Sequence, residues 1–173
     1  MMELVLRKCC LQDLDSLREL SIKTYWETYA PQNTPENMDA YIKAAFHVDQ
    51  LHRELTDPNS DFFFLYADGL LAGYIKLNET PSQTDVNDPE SLQLERIYVS
   101  GPFQGMGLGQ HLIDYAIRTA IQRKKAYIWL GAWEYNPRAL RFYDKNGFWK
   151  MGSHTIFMGD DEQTDFLLRK DLK

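Results

Sequence analysis

The stretch from Leu92 to Gln110 constrains this chain most, because it reads as a strand, a glycine-rich turn and the start of a helix in immediate succession. Leu92, Leu94, Ile97, Tyr98 and Val99 supply apolar, β-branched and aromatic side chains, and Ser100-Gly101-Pro102 stops the run. Leu108, Leu112, Ala116 and Ala120 then recur at helical spacing, with Ile113, Ile117 and Ile121 beside them. Gly105, Gly107 and Gly109 lie between the two patterns. Glycines at such a junction let the backbone approach a ligand closely. The first amides of a helix have no internal partner, and the helix dipole favours an anion there. No carboxylate occurs from Ile97 to Ile113 to compete for those amides. The turn is therefore a candidate phosphate site, although the glycines alone suit a turn that only packs equally well. A P-loop would need Gly-Lys-Ser/Thr, which is absent, and the Rossmann spacing G-x-G-x-x-G is missed by one residue.

Length and charge narrow the choice. A chain of 173 residues fits one domain, 1–173, with an adequate core. A net charge of −6 argues against nucleic acid as a partner, since phosphate binding needs a basic face, and it is compatible with a cationic substrate. No apolar run approaches the ~18 residues of a membrane span, and Met-Met-Glu-Leu-Val-Leu-Arg lacks the layout of a signal peptide. The adjacent Cys9 and Cys10 suit neither a disulfide framework nor a metal site, and point to a reducing cytoplasm. The histidines show no metal-binding spacing, so no metal is expected.

The remaining chain alternates strand and helix signals. Glu3 to Lys8 reads as a strand and Asp13 to Tyr29 as a helix. Thr34-Pro35 opens a second helix, with Thr34 as cap, and Val48 to Leu55 forms a third before Asp57-Pro58. Asp61 to Ala67 and Leu70 to Leu77 are strands joined at Asp68-Gly69, a tight hairpin signal. Asn78 to Pro89 is polar and loop-like. After the organising strand and helix come a strand from Ala126 to Gly131 and a helix capped by Asn136, with Pro137 first and Gly147 closing. Phe148 to Met151 and Ser153 to Met158 read as strand, and Thr164 to Arg169 as the last strand. The order predicts a mixed α+β domain around one central sheet.

Two motifs resemble a known family. Gln104-Gly-Met-Gly107-Leu-Gly109 matches the Q/R-x-x-G-x-G/A turn of the GCN5-related N-acetyltransferases (GNAT). Asn136 through Phe148 is similar to that family's N-x-x-A-x-x-F-Y-x-K-x-G-F segment at every fixed position. The resemblance implies a GNAT fold, a mostly antiparallel twisted sheet of about seven strands flanked by helices. It implies acetyl-CoA as cosubstrate, with its pyrophosphate on Gln104, Gly105, Met106, Gly107, Leu108, Gly109 and Gln110. The pantetheine arm would lie along Ile97, Tyr98 and Val99 and against Asn136, with Lys145 near a phosphate and Tyr143 as the acid for the departing thiolate. Most of the chain also resembles bacterial spermidine/spermine N-acetyltransferases of the PaiA type, through Phe62-Phe63-Phe64, Leu94-Glu95-Arg96-Ile97-Tyr98, Ile128-Trp129-Leu130-Gly131 and Glu162-Gln163-Thr164-Asp165.

Amine acetylation needs particular help. An alkyl amine has a pKa near ~10.4, so its free base at pH 7 costs ~4 to 5 kcal/mol. A base must take that proton, and Glu95 on the cofactor strand is the first candidate, alongside a plain salt bridge to Arg96. Direct transfer needs no nucleophile, and Cys9 and Cys10 have no nearby histidine in sequence to activate them. Two clusters pair aromatic rings with carboxylates, as an ammonium group requires: Tyr25, Trp26, Glu27 and Tyr29, and Trp133 with Glu134. The expected acceptor is a small-molecule polyamine, with a homodimer left open. The alternatives are acetylation of a protein N-terminus or lysine, and a regulator that binds acetyl-CoA or polyamine without turnover.

Overall fold

The structure, a computed structural model, describes residues 1–172; residue 173, the last of the expected domain, lies outside the described residues. Seven strands and five helices follow one another as β1 (Leu4–Lys8), α1 (Leu14–Tyr29), α2 (Pro35–Ala45), α3 (Val48–Thr56), β2 (Ser60–Ala67), β3 (Leu70–Asn78), β4 (Ser91–Val99), α4 (Leu108–Gln122), β5 (Tyr127–Trp133), α5 (Pro137–Lys145), β6 (Trp149–Met158) and β7 (Asp161–Asp171). The strands form one sheet in the order β1-β2-β3-β4-β5-β7-β6. Every pairing is antiparallel except β4 with β5. This is the mixed α+β architecture that the element order predicts.

Local chemistry sets the element ends. The Thr34 hydroxyl accepts from the Asn37 amide at 3.2 Å, and Pro35 takes the first position of α2. The Asn136 side-chain oxygen does the same for Ala139 at 3.2 Å, ahead of Pro137 in α5. Asp68 and Gly69 both adopt positive φ, 49° and 80°, as a tight hairpin between right-twisted strands requires. The stretch read as strand from Phe148 to Met158 is one strand, β6, beginning at Trp149, in which the register slips between Lys150 and Gly152 and leaves Met151 as the extra residue of a bulge.

The sheet buries a different cluster on each face. Leu92, Leu94, Ile128 and Leu130 pack with Leu108, Leu112, Ile113 and Ala116 of α4 and with Tyr143 of α5. On the opposite face Phe62, Phe64 and Tyr74 pack with Leu17, Leu20 and Tyr25 of α1, Met38 of α2 and Leu51 of α3. The alternation of strand side chains distributes apolar groups to both helical layers.

Two irregularities of β4 create the opening between the layers. First, β4 and β5 pair only at Ser91–Tyr127, Leu92–Ile128 and Gln93–Trp129, and then diverge. Second, the register with β3 slips between Lys76 and Leu77, whose partners are Arg96 and Leu94. Glu95 is left as the extra residue, so Glu95 and Arg96 both reach Glu54 or Lys76 on the α3 side. Beyond Gln93 the β5-facing edge of β4 carries backbone groups with no ladder partner.

Candidate active site

The divergence of β4 and β5 opens a cleft of about 600 Å³. Ile97, Tyr98 and Val99 form one wall, and Asn136, Tyr143 and Lys145 of the α5 segment form the other. Gln104, Gly105, Gly107, Leu108, Gly109 and Gln110 close its head. Of the residues expected to meet a cofactor, only Met106 lies off the cleft lining, and it is exposed. Gly107 is the N-cap of α4 with φ 79°, a left-handed conformation that glycine adopts at little cost. No side chain caps this helix, so the amides after Gly107 stay free for an acceptor from outside. The first intrahelical bond there runs from the His111 amide to the Gly107 carbonyl, at 3.2 Å. Gln104 folds back to donate to the Val99 carbonyl at 3.0 Å, which satisfies one strand group and tightens the turn. Arg138, which the sequence reading passed over, also lines the cleft and adds a second cation to Lys145.

Tyr143 is buried between Phe142 and Phe148, at ring separations of 5.4 and 5.8 Å. Burial pushes its phenol upward, with a further contribution from Tyr29, so the hydroxyl stays a proton-bearing hydrogen-bond donor across the physiological range. The Asn136 oxygen is engaged as a helix cap, which leaves its amide nitrogen as the group able to face a ligand.

Glu95 reaches the cleft but is already paired. Its carboxylate accepts from Lys76 at 2.7 Å and Asn78 at 2.8 Å, and lies 3.2 Å from Arg96. Lys76 and Arg96 also meet Glu54, at 2.7 and 3.3 Å, so two cations and two carboxylates form one buried cluster. Burial alone would raise the Glu95 carboxyl, but Arg96, Lys76 and Asn78 outweigh it and hold the group at about 2. With its oxygens engaged by Lys76, Asn78 and Arg96, Glu95 has the geometry of the salt-bridged strand carboxylate that the sequence allowed beside the base role.

The first aromatic-acid cluster separates. Tyr25 is a core residue stacked on Tyr41 at 4.3 Å, and neither it nor Trp26, which is exposed, lines the cleft. Glu27 and Tyr29 do line it. The Glu27 carboxylate accepts from the Gly101 amide at 3.1 Å and so ties the end of α1 to the turn after β4. The second cluster holds together. Trp133 and Glu134 line a neighbouring groove of about 760 Å³ with Tyr135, Asp161, Glu162 and Gln163. This groove shares Gln32 and Trp133 with the cleft, and no lysine or arginine lines it.

Asp165 was given no role in the sequence beyond its place in the Glu162-Gln163-Thr164-Asp165 piece of the resemblance. It lies on β7 opposite Trp133 of β5 and opposite His154 of β6, so the three side chains share one face. Spacing gave no signal for it, because all three strands must be paired before these residues meet. Among the described residues no group of His, Cys, Asp and Glu side chains is placed to hold a metal ion, and no helix is long and apolar enough to cross a membrane.

The strand that diverges from its parallel neighbour beside an uncapped, glycine-headed helix leaves a cleft with unpaired backbone groups along one wall and free amides at its head. The Acetyltransferase (GNAT) family matches residues 17–148, and the chain belongs to it. An uncharacterised N-acetyltransferase from the pepI 3′ region of Lactobacillus delbrueckii subsp. lactis is 38% identical over 93% of each chain. The spermidine N(1)-acetyltransferase of Thermoplasma acidophilum is 25% identical over 98% of each chain. The crystal structure of the PaiA N-acetyltransferase from Thermoplasma acidophilum, in complex with coenzyme A, has the same fold, with a TM-score of 0.78 at 22% identity over 98% of this chain and 99% of that one. The chain is an N-acetyltransferase.

Proposed function

We propose that the protein transfers the acetyl group of acetyl-CoA directly to a primary amine of a small polycation such as spermidine or spermine, in the cytoplasm. The observation that carries the acceptor class is the groove beside the cleft. Glu134, Asp161 and Glu162 offer carboxylates there, and Trp133 and Tyr135 offer ring faces, with no cation in the lining. Such a surface suits a chain of ammonium groups separated by methylenes. Sharing Trp133 and Gln32 with the cleft, it would hold the distal nitrogens while the terminal one meets the thioester.

In this reading the free amides after Gly107 hold the pyrophosphate, with Lys145 and Arg138 adding positive charge. The free edge of β4 from Ile97 receives the pantetheine arm, and Asn136 fixes it from the other wall. The amine attacks the thioester carbonyl, the C–S bond breaks, and Tyr143 donates a hydrogen bond to the thiolate as charge develops on sulfur. Glu95, held at about 2, shapes the electrostatics of the wall and takes no proton.

The test is thiol release from acetyl-CoA with spermidine, spermine, a neutral primary amine and an N-terminal peptide, followed by mass analysis of the products. Polyamines should be turned over with the highest kcat/KM. A protein that acetylates the peptide well and spermidine not at all would move the acceptor to protein N-termini or lysines. Binding of acetyl-CoA without release of thiol to any acceptor would make it a regulator.

A further inference from the structure

With Glu95 engaged by Lys76, Arg96 and Asn78, the proton that an ammonium acceptor must lose needs another destination. A row of side chains crosses the sheet from the cleft to its edge. Trp133 on β5 faces Asp165 on β7, and Asp165 faces His154 on the edge strand β6. Gly131, two residues before Trp133, lines the cleft where β5 has left β4, and a methyl group built there would sit 3.4 Å from Asp165 Oδ2. The lack of a side chain at Gly131 thus leaves the carboxylate next to the cleft floor.

Both inner members of this row have an unmet polar atom. Asp165 Oδ1 and Trp133 Nε1 are buried without a hydrogen-bond partner, a costly arrangement unless a ligand or water completes it. The outer members are connected. Asp165 Oδ2 lies 4.0 Å from His154 Nε2, and His154 Nδ1 lies 2.7 Å from Asp85 Oδ2 in the loop before β4. Asp85 is 39% exposed, so the series starts under the cleft and ends at solvent. A carboxylate on Nδ1 holds the neutral ring with its proton at Nδ1, which leaves the Nε2 lone pair towards Asp165.

We propose that Asp165 accepts the proton of the incoming ammonium group and that His154 and Asp85 pass it to solvent. This rests on the amine-acetylation reading and supplies its missing base. The N–H bond of the ammonium breaks and its proton moves to Asp165, leaving a neutral amine. The nitrogen lone pair forms the bond to the thioester carbon, the C–S electron pair leaves with sulfur, and the second N–H proton, which the new amide must lose, passes to the thiolate to give the thiol of CoA. Asp165 then returns to a carboxylate by giving its proton to His154 Nε2, while Nδ1 releases one towards Asp85. The groups facing Asp165 are Tyr25 and Tyr29 from α1, Tyr41 from α2 and His154 from β6. Burial raises the Asp165 carboxyl and His154 lowers it, the net direction being upward, towards a useful base.

The experiment combines pH–rate profiles with nitrogen-15 NMR of the histidines, using the best amine found in the acceptor screen. Asp165→Asn should lower kcat/KM by about 100-fold or more at neutral pH and remove the acidic limb, with CoA affinity unchanged, and Asp165→Glu should restore part of the rate. His154→Ala should lose about tenfold and regain rate with added imidazole. The neutral His154 ring should carry its proton on Nδ1, a measurement that needs no acceptor. A folded Asp165→Asn protein within about threefold of the wild type and with the same acidic limb would overturn the relay. So would an Nε2-protonated ring. Failure of spermidine as substrate would remove the polyamine reading alone, since the profiles follow whichever amine is turned over.

Discussion

The cleft and the charged wall behind it are built from different materials. The side proposed for the cofactor is mostly backbone: the unpaired edge of β4 after Gln93, the left-handed Gly107 and the uncapped start of α4, all within the stretch from Leu92 to Gln110. The charged wall, of which only Glu95 reaches the cleft lining, is mostly side chains delivered from distant segments. Glu54, Lys76, Glu95 and Arg96 meet from three elements, and beside the cleft Asp85, His154 and Asp165 meet from a loop and two strands. A backbone site tolerates changes of side chain that leave φ and charge alone. A site made of buried paired charges fails when one member is removed. The proposed cofactor site is thus contained in one short motif, while the charged groups come from residues far apart in the chain.

The largest effect should come from breaking the charged wall. Glu95→Gln keeps the shape but leaves Lys76 and Arg96 with only Glu54, and removing one partner of a buried pair costs about 3 to 5 kcal/mol. Urea unfolding should show a loss near the lower end, since Asn78 and Gln keep a hydrogen bond. The pH dependence has a definite sign. The Glu95 carboxyl lies at about 2 when folded, below its ordinary 4.5, so its stabilisation is present above 4.5 and is lost as pH falls towards 2. The wild type should lose stability across that window, and Glu95→Gln should lose less of it. Equal stabilities at pH 7 would show that the charges do not hold this wall.

The cofactor wall should break differently. A side chain at Gly107 meets no atom within 4 Å, so Gly107→Glu has room, but it demands φ 79° and places a carboxylate among the free amides. CoA affinity should fall by about 100-fold, or about 3 kcal/mol, in calorimetric titration. Gly107→Asn, which tolerates the left-handed region without adding charge, should lose much less. Equal losses in the two variants would make backbone conformation, not charge, the basis of the site.

This division also explains what could be read from the sequence. The element order, the helix caps at Thr34 and Asn136 and the glycine turn were legible because each depends on residues adjacent in the chain. Tyr143 and Asn136 were legible as one helix face, two turns apart, and both line the cleft. Trp26 and Glu27 looked alike as members of one cluster, yet helical geometry turns only Glu27 to the cleft. The Glu95 pairing depends on a bulge against β3, and bulges leave no reliable mark in a sequence. Asp165 was hidden for a similar reason: His154 and Asp85 are 69 residues apart, and only the completed sheet aligns them.

A third change lies where the walls meet. Tyr143→Phe keeps the packing against Phe142 and Phe148 and removes the hydroxyl. Because burial holds the phenol in its protonated form, its contribution is that of a hydrogen bond to a developing charge, about 1.5 to 3 kcal/mol. That corresponds to a fall in kcat of about 10- to 100-fold, with CoA affinity barely changed. Steady-state kinetics at saturating acceptor, with a thermal melt to check folding, reads both quantities. A loss of CoA affinity equal to the loss of kcat would place Tyr143 in the binding wall instead.

The smallest effect should come from the groove beside the cleft. Glu134 and Glu162 line it without forming any ion pair of their own among the described residues, so neutralising either one disturbs no buried network. Each meets solvent, and an exposed carboxylate attracts an ammonium group only weakly through water. Glu134→Gln and Glu162→Gln should therefore each raise the KM for spermidine by about two- to fivefold, and together by roughly the product. Neither should change kcat at saturation, because both charges lie away from the reacting carbonyl and act on bound and transition states alike. The KM for acetyl-CoA should also stay unchanged, since neither residue lines the cleft. Salt sharpens the test: screening shortens the reach of these charges to about 8 Å near physiological ionic strength, so the wild-type KM should rise with salt and the double variant's should rise less. A double variant with the wild-type KM and the same salt dependence would show that the groove does not hold the acceptor's distal nitrogens. The acceptor would then be held on the cleft side of Trp133 and Gly131 alone.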